Sequence, residues 1–233
     1  MDPPNTTDQP GSDEKSLLDS RFSLREFFGL ATIVILAIGL FFSSRQSSKL
    51  KDEVDRLRLE TGYLSDTEPG QIAAARVPTD QPLAYRVRIR VPEGSQDYRV
   101  AYSSIWEKGK NAPNWHSAIP VPPGESLVTL RILEDPRDNV WKISAILVSK
   151  DRTRRMATSL SAEQVAIFRG SNDVLRTGVG RETLAVDDDK SIRILDERWL
   201  VGEGGLLLYG DRAPDQDQTG VYAELQPDVG PLN

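Results

Sequence analysis

The sequence contains no cysteine, one histidine (His116) and only two methionines among its 233 residues. The absence of cysteine excludes disulfide bonds, thiolate metal sites, iron–sulfur clusters and cysteine nucleophiles. The single histidine narrows the remaining options for metal binding and for acid–base chemistry. The sequence therefore predicts no metal site, no other cofactor and no catalytic residues.

An excess of charge of either sign is also missing from the body of the chain. Overall there are 35 acidic and 29 basic residues, but residues 65–202 carry 19 acidic against 20 basic side chains. A nearly neutral body offers no electrostatic footprint for a polyphosphate chain. We therefore expect no nucleic-acid partner.

What the sequence does have is one long uncharged apolar segment. Phe27 to Ser44 contains 18 residues without a charge, and eleven of them are Phe, Leu, Ile or Val. A helix of that length spans roughly 27 Å, close to the hydrocarbon thickness of a bilayer. The pattern predicts a transmembrane anchor at residues 21–46 in contact with the lipid bilayer. A buried core helix and a cleaved signal peptide are the alternatives, and the latter lacks a small-x-small cleavage site.

Charges on the two sides of the anchor give an ambiguous orientation. Three basic residues precede it within about 15 positions and five follow it, so the positive-inside count favours a cytoplasmic C-terminal domain. Arg21 and Arg25 abut the anchor, however, and large C-terminal domains translocate largely regardless of charge. We expect the tail at residues 1–20, rich in Pro, Asp and Ser, to be disordered and inside, and the C-terminal domain to be extracytoplasmic.

A helical pattern continues directly after the anchor, over residues 47–64. Leu50, Val54, Leu57 and Leu64 follow the a/d spacing of a heptad repeat, with Thr61 in the remaining position. This spacing predicts either a short parallel coiled coil, and hence a homo-oligomer, or a monomeric amphipathic stalk.

Beyond this stalk the hydrophobic period changes from 3.6 to 2. Residues 65–82 contain three prolines among small and polar residues and are predicted to form a linker. Leu83–Val91 then alternates apolar residues with arginine, which is typical of an antiparallel strand with one buried face. Turn residues recur every 8–12 positions after it, which predicts a mainly β, antiparallel β-sandwich-like domain over residues 83–226, followed by a tail at residues 227–233. Further predicted strands are Asp97–Trp106, Leu127–Leu133, Val140–Val148, Glu182–Val186, Ser191–Asp196, Gly205–Tyr209 and Val221–Leu225, with a capped helix from Ser161 to Phe168.

Two basic clusters are the candidate binding residues. One lies on the solvated face of the first strand and the other follows Lys150, and both could contact an anionic glycan or a lipid head group. Solvated strand faces commonly carry such charges, so a purely structural role is the alternative. The six residues are Arg86, Arg88, Arg90, Arg152, Arg154 and Arg155.

No pattern indicates an enzyme. The Asp187-Asp188-Asp189 cluster lacks the ligand spacing of a calcium loop and is interpreted as a turn. His116 could activate a serine or threonine only if the fold brought the two side chains together. We therefore expect a non-catalytic domain.

Two resemblances carry information about location. The run Arg21-Phe22-Ser23-Leu24-Arg25-Glu26, the anchor, and the segment Leu57–Leu64 (LRLETGYL) resemble uncharacterised bacterial single-pass membrane proteins. Those proteins place an Arg-rich lead before the anchor, a short Leu/Arg/Glu helix after it and a β-rich domain last, which implies the cell envelope and no particular activity.

The segment Phe22–Glu26 followed by an apolar helix also resembles the start of type IV pilins and pseudopilins. Glu26 would take the place of the glutamate that pairs with a neighbouring subunit, although Arg21 stands where the processing peptidase needs glycine. The leading hypothesis is a membrane-tethered binding or scaffold domain for an unknown ligand at the inner membrane of the envelope. A pilin-like assembly subunit is the alternative, and an envelope hydrolase is the third possibility.

Overall fold

A computed structural model of the chain describes residues 24–94, 96–150, 152–201 and 214–232. The residues divide into two units, with the boundary between Glu53 and Val54. The first contains most of one long apolar helix, and the second contains two antiparallel sheets. The mainly β fold class predicted from the sequence is confirmed. The predicted tail at residues 1–20 lies outside the described residues.

The long helix, α1, runs from Leu24 to Thr61. Its apolar side chains in the anchor segment are exposed, from 48% at Val34 to 72% at Leu40. Among the described residues it is the one helix long and apolar enough to cross a membrane, and none of its apolar window is buried in the protein. The predicted anchor is therefore a helix whose apolar side chains the described residues leave uncovered.

The end of α1 is a tight reversal that begins before the end of the helical stalk predicted over residues 47–64. Gly62 adopts a φ of +63°, a left-handed conformation that glycine reaches without steric cost. The Tyr63 N–H donates to the Arg58 carbonyl at 2.9 Å, the long-range bond of a Schellman cap. Arg58 also lies over the Tyr63 ring at 5.0 Å. The helix therefore ends at Thr61, and Leu64 is not part of it.

Eleven strands are present in the part of the chain that the structure describes, and they form two sheets. The six-stranded sheet has the order β7-β6-β5-β2-β1-β9 and the five-stranded sheet the order β4-β3-β11-β10-β8. All neighbouring strands pair antiparallel. The strands are β1 (Gln71–Val77), β2 (Ala84–Val91), β3 (Tyr98–Trp106), β4 (Ser117–Val121), β5 (Gly124–Asp135), β6 (Val140–Ser149), β7 (Thr153–Ser159), β8 (Asp173–Thr177), β9 (Leu184–Asp187), β10 (Ile192–Leu200) and β11 (Gln218–Pro227).

The two sheets share one hydrophobic core, built from the residues that alternate inward along each strand. In β2 the inward residues Tyr85, Val87 and Ile89 are at most 7% exposed. Helix α2 (Ala162–Arg169) has the predicted capping box and packs Phe168 edge-on against Trp199, with ring centroids 4.8 Å apart. Alternation along β2 and β5 separates the interior from a partly exposed outer face, whereas β3, β10 and β11 are buried on both faces along most of their length.

Most predicted strands coincide with observed ones. The four runs from Leu83 to Val148 correspond to β2, β3, β5 and β6, and three later runs overlap β9, β10 and β11. The predicted strand Gly205–Tyr209 lies outside the described residues. Four observed strands were not predicted from the sequence, because each is short, lies at a sheet edge or lacks apolar alternation. These strands are β1, β4, β7 and β8.

The segment predicted as a linker, residues 65–82, contains β1, which pairs with both β2 and β9. A strand that is covered on both faces carries apolar residues at consecutive positions. The three consecutive alanines of β1 therefore show no alternation of apolar and polar residues. Ala74 faces the core, while Ala73 and Ala75 contact the fully buried Leu64 on the other face of the sheet. The chain between stalk and domain is therefore part of the fold.

Gly62→Ala tests this close join. A Cβ at Gly62 would lie 2.4 Å from Val77 Cγ2 and 3.0 Å from Val77 Cα, in addition to the cost of a left-handed backbone. Gly70 has a φ of +84° with open space around it, so Gly70→Ala carries the backbone cost alone. We expect Gly62→Ala to lower the free energy of unfolding by about 1–3 kcal/mol more than Gly70→Ala does. Equal losses in thermal unfolding of the detergent-solubilised chain would contradict the close contact with Val77.

Candidate functional site

The three arginines of β2 lie together on the outer face of the six-stranded sheet, where the sequence placed them. Two of them bind the chain that follows α1. Arg88 Nε donates to the Gly62 carbonyl at 3.1 Å, and Arg90 donates to the carbonyls of Leu64 and Ser65 at 3.3 and 3.0 Å. These three carbonyls follow α1 and belong to neither a helix nor a strand, so the arginines supply partners that regular backbone pairing does not.

Glu125, on the neighbouring strand β5, is the acidic partner of the same two arginines. Its carboxylate lies 2.7 Å from Arg90 and 3.9 Å from Arg88. Arg88 and Arg90 therefore have partners within the protein. Arg86 is half-buried on the same outer face, opposite Thr129 of β5.

The arginines after Lys150 separate into two places. Arg152 and Arg154 line a cleft of about 590 Å³ together with Lys150, Pro122 and Pro123. Arg154 also donates to the Pro120 carbonyl at 2.9 Å, which holds the edge strand β7 against β4. Glu93 and Glu125 line the same cleft, so its charge is mixed with a small basic excess.

Arg155 points to a different concavity, of about 420 Å³, beside Asp135 and Lys142. Asp135 is bound by Arg137 at 2.6 Å and by Lys142 at 3.1 Å. These bonds, chiefly the one from the Arg137 side chain, hold the pKa of the Asp135 carboxyl well below its usual range. The structure thus does not bring the six predicted arginines into one surface, and the anionic contact stays a prediction that now concerns Arg152 and Arg154.

A third concavity was not anticipated. It has a volume of about 580 Å³ and lies between the β1–β2 turn and strand β8. We call it the arginine cleft, because its walls include Arg76, Arg176 and Arg181. These residues are separated by up to 105 positions in the sequence and no local motif connects them, so only the strand pairing shows that they are neighbours.

Glu197 lies buried beside this cleft and links the two sheets. It is 0% exposed and has Arg76 of β1 at 2.5 Å and Arg176 of β8 at 3.1 Å. Glu197 and Arg176 are directly opposite in the pairing of β10 with β8. Burial raises the pKa of the Glu197 carboxyl above its usual value, even though the two guanidinium groups act to lower it.

The acidic cluster at residues 187–189 forms the predicted turn, here between β9 and β10. Lys190 binds the Asp187 carboxylate at 2.6 Å, and the Asp188 carbonyl accepts hydrogen bonds from Gln96 and Tyr98. Within the described ranges, no group of three or more histidine and acidic residues could hold a metal ion.

The fold does bring His116 to a serine. The Ser104 hydroxyl lies 2.7 Å from His116 Nε2, and the Ser104 N–H donates to the same nitrogen at 3.0 Å. Gln164 Nε2 donates to the Ser104 oxygen at 3.0 Å while its main chain and Oε1 complete the cap of α2. Ser104 is 0% exposed, so a substrate carbonyl has no approach to its oxygen in this arrangement. The contact joins β3, the loop before β4 and α2.

Comparisons with protein-family models, with curated proteins and with solved structures found no match to this chain. The function is therefore inferred from its own residues.

The buried imidazole predicts a pH dependence of stability. Burial lowers the pKa of His116 below its ordinary value of 6.5, so the folded chain binds fewer protons than the unfolded chain once the pH falls below 6.5. We expect the free energy of unfolding to fall by up to about 1.4 kcal/mol per pH unit below that point, with full stability retained above it. His116→Gln should remove this component. An identical pH dependence of thermal unfolding in the variant, between pH 7 and 5.5, would contradict the assignment.

Proposed function

We propose that this chain is a single-pass membrane protein of the bacterial cell envelope whose β-domain is a non-catalytic binding or scaffold module. The observation that carries the proposal is the exposure of the apolar side chains of α1, which only a non-aqueous environment or other apolar surfaces would cover. The β-domain that follows has a closed core between its two sheets. Its concavities are lined by paired and partly paired charges, which suits recognition of a polar ligand better than catalysis.

Alkaline extraction and protease accessibility together test the proposal. The full-length chain should stay in the membrane pellet after carbonate washing and should require detergent for release. In spheroplasts, protease should cut within residues 65–233 and leave a fragment containing α1, because we place the domain outside the cytoplasm. Release of intact chain by carbonate would overturn the tether. Protection of the domain until the membrane is lysed would overturn only its orientation.

A pilin-like assembly subunit is the second candidate, and the layout of α1 favours it. A long helix with an exposed apolar first half, followed by a β-rich domain, is also the arrangement that the resemblance to pilins implies. That assignment requires processing before Phe22. Mass spectrometry of the membrane-extracted protein tests this assignment, since an unprocessed N-terminus would exclude it.

Self-association through the stalk is a further part of the proposal. Leu50, Val54 and Leu57 keep the heptad spacing and are 59%, 44% and 46% exposed. Leu64, the fourth residue of the predicted seam, is buried within its own domain against Ala73. The seam is therefore shorter than the sequence pattern indicated, and a membrane-confined dimer or trimer would rest on three apolar residues per chain together with Thr61.

Leu57→Asp tests the shortened seam. Placing a carboxylate at the centre of an apolar interface leaves a charge without a partner, so the crosslinked oligomer in native membranes should fall several-fold. Leu59→Asp is the matched control, because it makes the same leucine-to-aspartate change at a position outside the heptad spacing. Unchanged crosslinking in Leu57→Asp, or equal loss in both variants, would remove the coiled-coil interpretation.

A further inference from the structure

We propose that the arginine cleft binds an organic carboxylate, with Arg176 and Arg181 receiving the carboxylate and the β1–β2 turn receiving its apolar body. This deepens the proposed binding function by naming a site and a class of ligand. Both sources of such a group, a small metabolite and the C-terminus of a peptide, share the chemistry that the cleft offers.

The charges around the cleft leave an excess of one positive charge. Three guanidinium groups, those of Arg76, Arg176 and Arg181, face two carboxylates, the buried Glu197 and Asp80 at the rim. A monoanion would balance this set. Guanidinium groups match the planar geometry of a carboxylate by donating two parallel hydrogen bonds.

Two of the three arginines are accessible to a ligand. Arg176 is 68% exposed and uses its Nε for Glu197, which leaves its terminal nitrogens as donors. Arg181 is exposed and makes no hydrogen bond or ion pair with the residues that the structure describes. Arg76 is only 23% exposed and lies against Glu197. We assign Arg76 and Glu197 as positioning residues that hold Arg176 at the cleft.

The β1–β2 turn lines the cleft beside the arginines, and its conformation is constrained. Val77, Pro78, Pro82 and Leu83 form its apolar wall, and Thr79, Asp80 and Gln81 of the same turn add polar groups. Leu83 has a φ of +53°, a left-handed conformation that a leucine rarely adopts, and its carbonyl accepts a hydrogen bond from Ile132 N–H at 2.9 Å. Two prolines restrict the turn further. Such strain, kept in place by the surrounding structure, is frequent where a backbone shapes a ligand site.

Calorimetric titration of the full chain in a neutral detergent tests the cleft directly. The probe is N-acetyl-leucine, which carries one carboxylate and one apolar side chain, and N-acetyl-leucinamide is its neutral counterpart. We expect saturable binding of the acid and at least tenfold weaker binding of the amide. Arg181→Gln should weaken binding of the acid at least tenfold. Lys108→Gln, which removes an exposed charge away from the cleft, should leave it unchanged.

Further ligands separate the possible sources. Tighter binding of acetyl-Ala-Ala-Ala-Leu with a free C-terminus than of N-acetyl-leucine identifies a peptide terminus, and equal binding identifies a small carboxylate. Acetate or inorganic phosphate binding as tightly as N-acetyl-leucine would overturn the role of the apolar wall.

Other outcomes overturn the site itself. Wild-type affinity for N-acetyl-leucine in Arg181→Gln would overturn it. So would the absence of saturable binding of both N-acetyl-leucine and acetyl-Ala-Ala-Ala-Leu. Weaker binding in Arg152→Gln, with Arg181→Gln unaffected, would move the ligand to the cleft beside β7. The titration is made in detergent solution and does not depend on a membrane. A negative result would therefore overturn the ligand site without affecting the membrane tether, which carbonate extraction tests separately.

Discussion

The join between the end of α1 and the six-stranded sheet is the contact on which the other features depend. Gly62 reverses the chain close to Val77, and Leu64 is buried on the alanines of β1. Carbonyls just after the helix accept hydrogen bonds from Arg88 and Arg90. Small side chains on the sheet permit this approach, because a larger residue at Ala73 or Ala75 would occupy the space of Leu64. The two arginines thus supply hydrogen-bond partners to backbone carbonyls that belong to no helix or strand.

This join accounts for three departures from what the sequence indicated. It makes β1 a strand covered on both faces, so the alternation that marks a half-buried strand is absent from Ala73–Ala75. It engages two of the three arginines on β2 in hydrogen bonds to the chain after the helix, whereas the alternating pattern predicts only that these arginines face solvent. It also removes Leu64 from the heptad seam, although the spacing of that residue is correct. Each departure follows from a contact between segments that are distant in sequence.

Local patterns were sufficient where one physical signal dominated. The alternation in Leu83–Val91 and the Ser161/Gln164 capping box each depend on neighbouring residues, and the structure confirms the strand and the capped helix. Local sequence patterns did not predict β4, which contains Pro120. They did not predict β7 either, because its exposed arginines indicated a surface patch rather than an edge strand. The arginine cleft was beyond such reasoning, because Arg76 and Arg176 meet through Glu197 of a third strand.

Strand β7 forms one edge of the six-stranded sheet, and its composition bears on whether two copies of the chain can pair edge to edge. An open edge with unsatisfied N–H and C=O groups invites another edge to pair with it. Successive side chains of a strand point to opposite faces, so Arg154 and Arg155 place one guanidinium group on each face of this edge. Charged side chains on an edge strand disfavour its pairing with the edge of another molecule, so the composition of β7 counters sheet-to-sheet aggregation.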